Sequence, residues 1–164
     1  MIRMNVVIAN RQRTKKINAR LLKQVVAVLL AELEIHEAEL GINLVAAREM
    51  TLVNETFLQH EGSTDVITFD HQNCELRVAG CELEIHGELF VCMDDAIAQA
   101  KAFKTTWQSE VVRYIVHGVL HLLGHDDHRM AARRRMKREE NRLLRGLARR
   151  FSLAQLARAP KLAV

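Results

Sequence analysis

Apolar positions along the chain change period, and the changes mark out the elements. Met4 to Ala9 (MNVVIA) is a short β-branched run and predicts a strand. Asn18 is placed to cap a helix running through Glu32, with Leu21, Leu22, Val25, Val28, Leu29 and Leu33 on its buried side. Gly41 is expected to close that unit, and Ile42 to Ala46 predicts a second strand. A short helix follows around Thr51 to Leu58. Val66 to Phe69 predicts a third strand, with Thr64 and Asp65 at its start. Residues 71–84 form a polar excursion, a loop or hairpin, before a fourth strand at Gly87 to Cys92. Asp94 and Asp95 open a helix to about Phe103, and Thr106 or Ser109 leads into the next. That helix, from Val111 to Leu123, is apolar almost all round, the mark of a buried helix. A last helix spans Met130 to Arg150, with Met136, Leu143 and Leu147 at helical spacing. The expected fold is a single α+β domain over residues 1–152, a mixed sheet of about four strands packed with about five helices. Residues 153–164, which hold the chain's only proline, Pro160, are expected to fray.

A chain of 164 residues with 49% apolar content is long enough for one proper core and excludes wholesale disorder. The longest apolar run, residues 25–31, falls far short of the ~20 residues of a membrane helix. Nothing near the N-terminus suggests export, so the expectation is a cytoplasmic protein with no membrane partner. Cys74, Cys81 and Cys92 cannot all pair, and reduced thiols are expected. A second metal site from His71, Cys74, Cys81 and His86 is a minor alternative. The net charge of +4 hides a strong pattern. Residues 1–31 carry seven basic residues and no acid, residues 32–128 carry a net charge of −13, and residues 129–150 a net charge of +8. The final helix, with Arg133, Arg134, Arg135 and Arg138, has the charge density of a polyanion-binding surface.

The chemistry concentrates in HGVLHLLGHDDH, residues 117–128, which holds four of the eight histidines. His117 and His121 are four apart, so they lie one turn above the other on one helix face. Two unpaired imidazoles on a buried helix would be costly, and a shared ion removes that cost. Gly124 ends the helix and the chain turns back through His125, Asp126, Asp127 and His128. Two ligands from the helix and one from the loop leave a fourth position open, as in a catalytic zinc site. His128 is expected as the third ligand, with His125 and Asp127 as alternatives; Asp126 or Asp127 is expected to orient an imidazole. Position 118 is glycine, where zinc peptidases of the His-Glu-x-x-His type carry their general base, which argues against peptide hydrolysis.

Three segments in order resemble the YbeY family of bacterial endoribonucleases and rRNA maturation factors. They are VNETFLQHEGSTDVITFD at 53–70, GELFVCMDDAIAQAKAF at 87–103 and VHGVLHLLGHDDH at 116–128. The resemblance implies one zinc ion per chain, held by His117, His121 and a third histidine. It implies cleavage of single-stranded RNA in maturation of the small-subunit rRNA 3′ end and in ribosome quality control. Implied partners are ribosomal RNA, the small ribosomal subunit, and ribosomal proteins or assembly GTPases. Two departures stand out. The family's third histidine comes one residue earlier than His128, so either the loop takes in an extra residue or Asp127 binds. Leu58 stands where many members carry an arginine linked to cleavage, and His60 or Arg113 is expected to take that part. The rival implication is a non-catalytic ribosome assembly factor with a structural zinc.

Overall fold

In a computed structural model, which describes residues 3–72 and 83–157, strand order is set by which apolar faces must be covered. Strands β1 (Arg3–Asn10), β2 (Glu37–Val45), β3 (Val66–Asp70) and β4 (Glu84–Cys92) form one sheet in the order β1-β2-β4-β3. The first three in that order are parallel, and β3 pairs antiparallel to β4 at the edge. Along β2, Ala38, Leu40, Ile42 and Leu44 alternate onto one buried face, the period that a pleated strand imposes. Helix α1 (Ala19–Glu32) and helix α4 (Trp107–Leu122) cover that face and form the main core with it. Helix α2 (Ala47–Val53) covers part of the opposite face through a smaller cluster of Val45, Met50, Val53, Ile67 and Cys92. Helix α3 (Met93–Phe103) and helix α5 (Met130–Arg150) flank α4.

The caps are local and follow from residue type. Asn18 Oδ1 accepts the Leu21 N–H at 3.0 Å, and Thr106 Oγ1 accepts the Ser109 N–H at 3.2 Å. Each satisfies a backbone donor that the first helical turn leaves open. Gly124, at φ 93°, ends α4 in the left-handed region, and the His125 N–H turns back to Leu120 O at 3.0 Å.

Helix α4 crosses β3 and β4 closely enough that side-chain volume decides the crossing. A Cβ on Gly118 would lie 2.7 Å from Leu89 Cδ2 and 3.3 Å from Thr68 Cγ2. The position next to His117 therefore faces the sheet, and no glutamate there would reach the histidines without breaking the packing.

Among the described residues, the expected α+β domain, with its four-stranded mixed sheet, five helices and buried central helix, is the fold observed. Several boundaries differ; β4 starts earlier, at Glu84, and α4 at Trp107. Gly41 does not end a unit but lies inside β2, where it leaves room for Glu88 Cγ, 3.3 Å from where its Cβ would stand. The short helix starts earlier, at Ala47, and closes through one π-turn over Asn54–Leu58. The segment expected to fray packs as far as Ala157. Leu153–Leu156 form a 3-10 turn, Leu156 is fully buried, and its carbonyl accepts the Asn18 N–H at 2.8 Å. Cys74 and Cys81 of the alternative second metal site lie outside the described residues.

Candidate metal centre

On α4, one turn apart, the rings of His117 and His121 approach edge to face with centroids 4.6 Å apart. His117 Nδ1 lies 3.0 Å from Glu140 Oε2, and His121 Nδ1 lies 3.1 Å from the carbonyl oxygen of His125. A carbonyl and an ionised carboxylate only accept hydrogen bonds, so both rings carry their proton on Nδ1. Each Nε2 is then left with a lone pair, and the two Nε2 atoms face each other at 3.0 Å. Two lone pairs at that distance repel unless a proton or a cation lies between them. Burial, and then the neighbouring His117, push the His121 imidazole below its ordinary pKa, against a partial pull from Asp127. A neutral imidazole is the form that binds metal.

The loop after Gly124 supplies the third group. Asp127 Oδ2 lies 3.7 Å from His121 Nε2, and His117, His121 and Asp127 each offer a ligand atom within 4.8 Å of the others. Two imidazole nitrogens and a carboxylate oxygen are a donor set suited to zinc. All three side chains keep partial access to solvent. His128, expected as third ligand, is directed elsewhere: its side chain is 90% exposed. The cause is local. Asp126 Oδ1 accepts the His128 N–H at 2.8 Å, and this turn sends Asp127 toward the pair and His128 outward. Asp126, Asp127 and His128 also lie within ligand span of one another, on the exposed loop.

Glu140 of α5 is the residue that sequence reasoning passed over. It is buried, with Oε1 accepting from Arg113 Nη1 at 2.7 Å and Lys137 Nζ at 3.0 Å while Oε2 faces His117. Burial alone would raise its pKa, but hydrogen bonds from His117, Lys137 and Arg113 outweigh it and hold the carboxyl at about 2. A signal was present: Glu140 falls in the buried stripe of Met136, Leu143 and Leu147. A carboxylate on an apolar stripe needs a charged partner.

A cleft of about 830 Å³ opens beside these residues. Its floor is the α4 face of Glu110, Arg113, Tyr114 and His117, with α3 on one wall and α5 on the other. Arg113 faces this cleft, half-buried, and Asn141 Oδ1 accepts from its Nη1 at 3.1 Å. Of the basic residues expected to meet polyanion, Arg133 and Arg134 line the cleft together with Lys137. Arg135 and Arg138 are exposed on α5 outside that lining. His60 is exposed after the π-turn, its N–H facing Asn54 O at 3.4 Å, and it joins neither the histidine cluster nor the cleft lining among the described residues. Leu58 is an exposed apolar side chain.

Residues 7–148 match the family model described as Endoribonuclease YbeY. The Endoribonuclease YbeY of Chlorobium luteolum is 33% identical over 146 residues, 89% of this chain and 100% of that one. The Myxococcus xanthus protein of the same name is 36% identical over 126 residues, 77% of this chain but 42% of its own greater length. The solution structure of TM1509 from Thermotoga maritima superposes with a TM-score of 0.65, covering 97% of this chain and 99% of that one, at 20% identity. At that identity the likeness concerns the fold alone.

Proposed function

The chain belongs to the YbeY family of endoribonucleases, and from that premise we propose that it is a zinc-dependent endoribonuclease cutting single-stranded RNA. The observation that carries this is the pair of opposed imidazole lone pairs beside Asp127, with His117 and Asp127 lining a cleft that arginine and lysine also line. His117, His121 and Asp127 would hold the ion. Bound there, zinc would supply Lewis-acid polarisation of a phosphoryl oxygen and lower the pKa of water. Arg113 binds the phosphate at the cleft floor, in the part that Leu58 cannot play, and its guanidinium is aimed by Glu140 and Asn141. Arg133, Arg134 and Lys137 hold neighbouring phosphates along α5. Such contacts give affinity with little sequence choice, so selectivity comes from RNA shape and from partners.

By family resemblance the substrate is ribosomal RNA, near the small-subunit 3′ end, in the cytoplasm, with the small ribosomal subunit, ribosomal proteins or assembly GTPases as partners and ribosome quality control as a further role. Among the described residues no helix is long and apolar enough to cross a membrane. The test is incubation with rRNA precursor, with and without chelator, for the wild type and His117→Ala. Metal-dependent cuts lost in the variant support the reading. Identical weak patterns from both proteins would mean contamination and sink it.

One observation favours a second reading. Leu58 is apolar where cleaving relatives are expected to carry arginine, which suits an assembly factor with a structural zinc. A strain lacking the protein, rescued in full by a cleavage-dead Arg113→Ala variant that still binds zinc, would select it.

A further inference from the structure

Two large apolar side chains stand out for their exposure, Phe103 at 69% and Met130 at 74%, and both line the cleft that holds His117. They come from different walls: Phe103 is the last residue of α3 and Met130 the first of α5. Exposing them costs stability, and a ring and a thioether left in water beside arginines have a natural occupant in a flat aromatic base. Charge marks one wall rather than the whole cleft: Asp65, Glu110, Asp127 and Glu140 also line it and Glu140 pairs with Arg113 and Lys137, while Arg133 and Arg134 on the α5 wall suit a phosphate backbone. The α3 wall adds a polar group for a base edge, Gln99, which lines the cleft.

We propose that the cleft between Phe103 and Met130 is a stacking subsite for one unpaired nucleobase of the RNA, next to the phosphate held at Arg113. The inference rests on the ribonuclease reading and deepens it. A paired base is already stacked on its neighbours and cannot enter, so the subsite is a source of preference for single strands.

Fluorescence anisotropy on the zinc-loaded full chain tests this with a labelled, cleavage-resistant 2′-O-methyl RNA oligonucleotide and a set carrying one abasic position each. Phe103→Ala and Met130→Ala are expected to weaken binding of the intact strand by roughly 5- to 100-fold for a lost stacking partner. Phe103→Trp is expected to retain binding. One abasic position should weaken the wild type by a similar factor and leave the alanine variants little further to lose. Both side chains are exposed, so unchanged melting temperatures should accompany these losses. Alanine variants that bind as the wild type does, or that lose equally on every abasic strand, overturn the subsite while leaving the ribonuclease reading in place. A wild type that neither binds nor cuts RNA removes that reading, and the subsite with it.

Discussion

Glu140 answers to three cations or donors at once, and replacing it separates their effects. Glu140→Ala leaves Arg113 and Lys137 without their carboxylate and is expected to cost roughly 2–3 kcal/mol in urea unfolding, the scale of charged hydrogen bonds. Glu140→Gln keeps the shape but weakens the hold on His117 Nδ1–H. Zinc affinity measured by chelator competition should then fall roughly 10- to 100-fold. The folded-state pKa is depressed from 4.5 to about 2, so the wild-type contribution is fully present above about pH 4.5 and is lost as pH falls toward 2. The metal-free wild type should lose urea resistance across that window more steeply than Glu140→Gln; equal slopes would contradict the assignment. At this scale the sequence was partly legible. His117 and His121 follow from a spacing of four on an apolar helix. The placement of Asp127 beside them, with His128 outside, does not, because it goes with a side-chain-to-backbone bond from Asp126 that spacing does not reveal. Glu140 was hidden by its company, a carboxylate read as one more charge on a basic helix.

Helix α4 is positioned by what it lacks. Alanine raises helix propensity over glycine by about 1 kcal/mol. At position 118, however, its Cβ would meet Leu89, which is fully buried. Gly118→Ala is therefore expected to be net destabilising by about 1–2 kcal/mol, the cost of overpacking after that gain. A rise in melting temperature would refute the close crossing. At the end of β4, Cys92 is buried and burial raises its thiol to about 11. Iodoacetamide at pH 8 should leave Cys92 unmodified in the native protein and label it once unfolded, as peptide mapping will show. The central helix was legible from its apolar surface on all sides. The start of β2 was not, because Glu37 and Glu39 lie on its solvent-facing positions and Gly41 mimics a terminator while serving a neighbouring side chain.

Across the whole molecule, charge is segregated rather than balanced, and the cleft determines which part of it matters. Arg133 and Arg134 line the cleft, whereas Arg135 and Arg138 do not. For single-stranded RNA, Arg133→Ala and Arg134→Ala should each reduce the slope of log affinity against log salt by about 0.7. Arg135→Ala and Arg138→Ala should leave it unchanged, and four equal effects would mean a diffuse surface instead. The run of arginines read as a polyanion-binding surface in the sequence, but which of them line the cleft depends on how α5 is rotated against α4. Chain order also sets an order in time. The ribosome makes His117 and His121 before it makes Glu140, Lys137 and the α5 wall of the cleft. A nascent chain halted before Met130 has Arg113 and the His117, His121 and Asp127 cluster that could hold a metal, but neither the carboxylate beside His117 nor the α5 wall of the cleft, so the proposed site is complete only once α5 has been made.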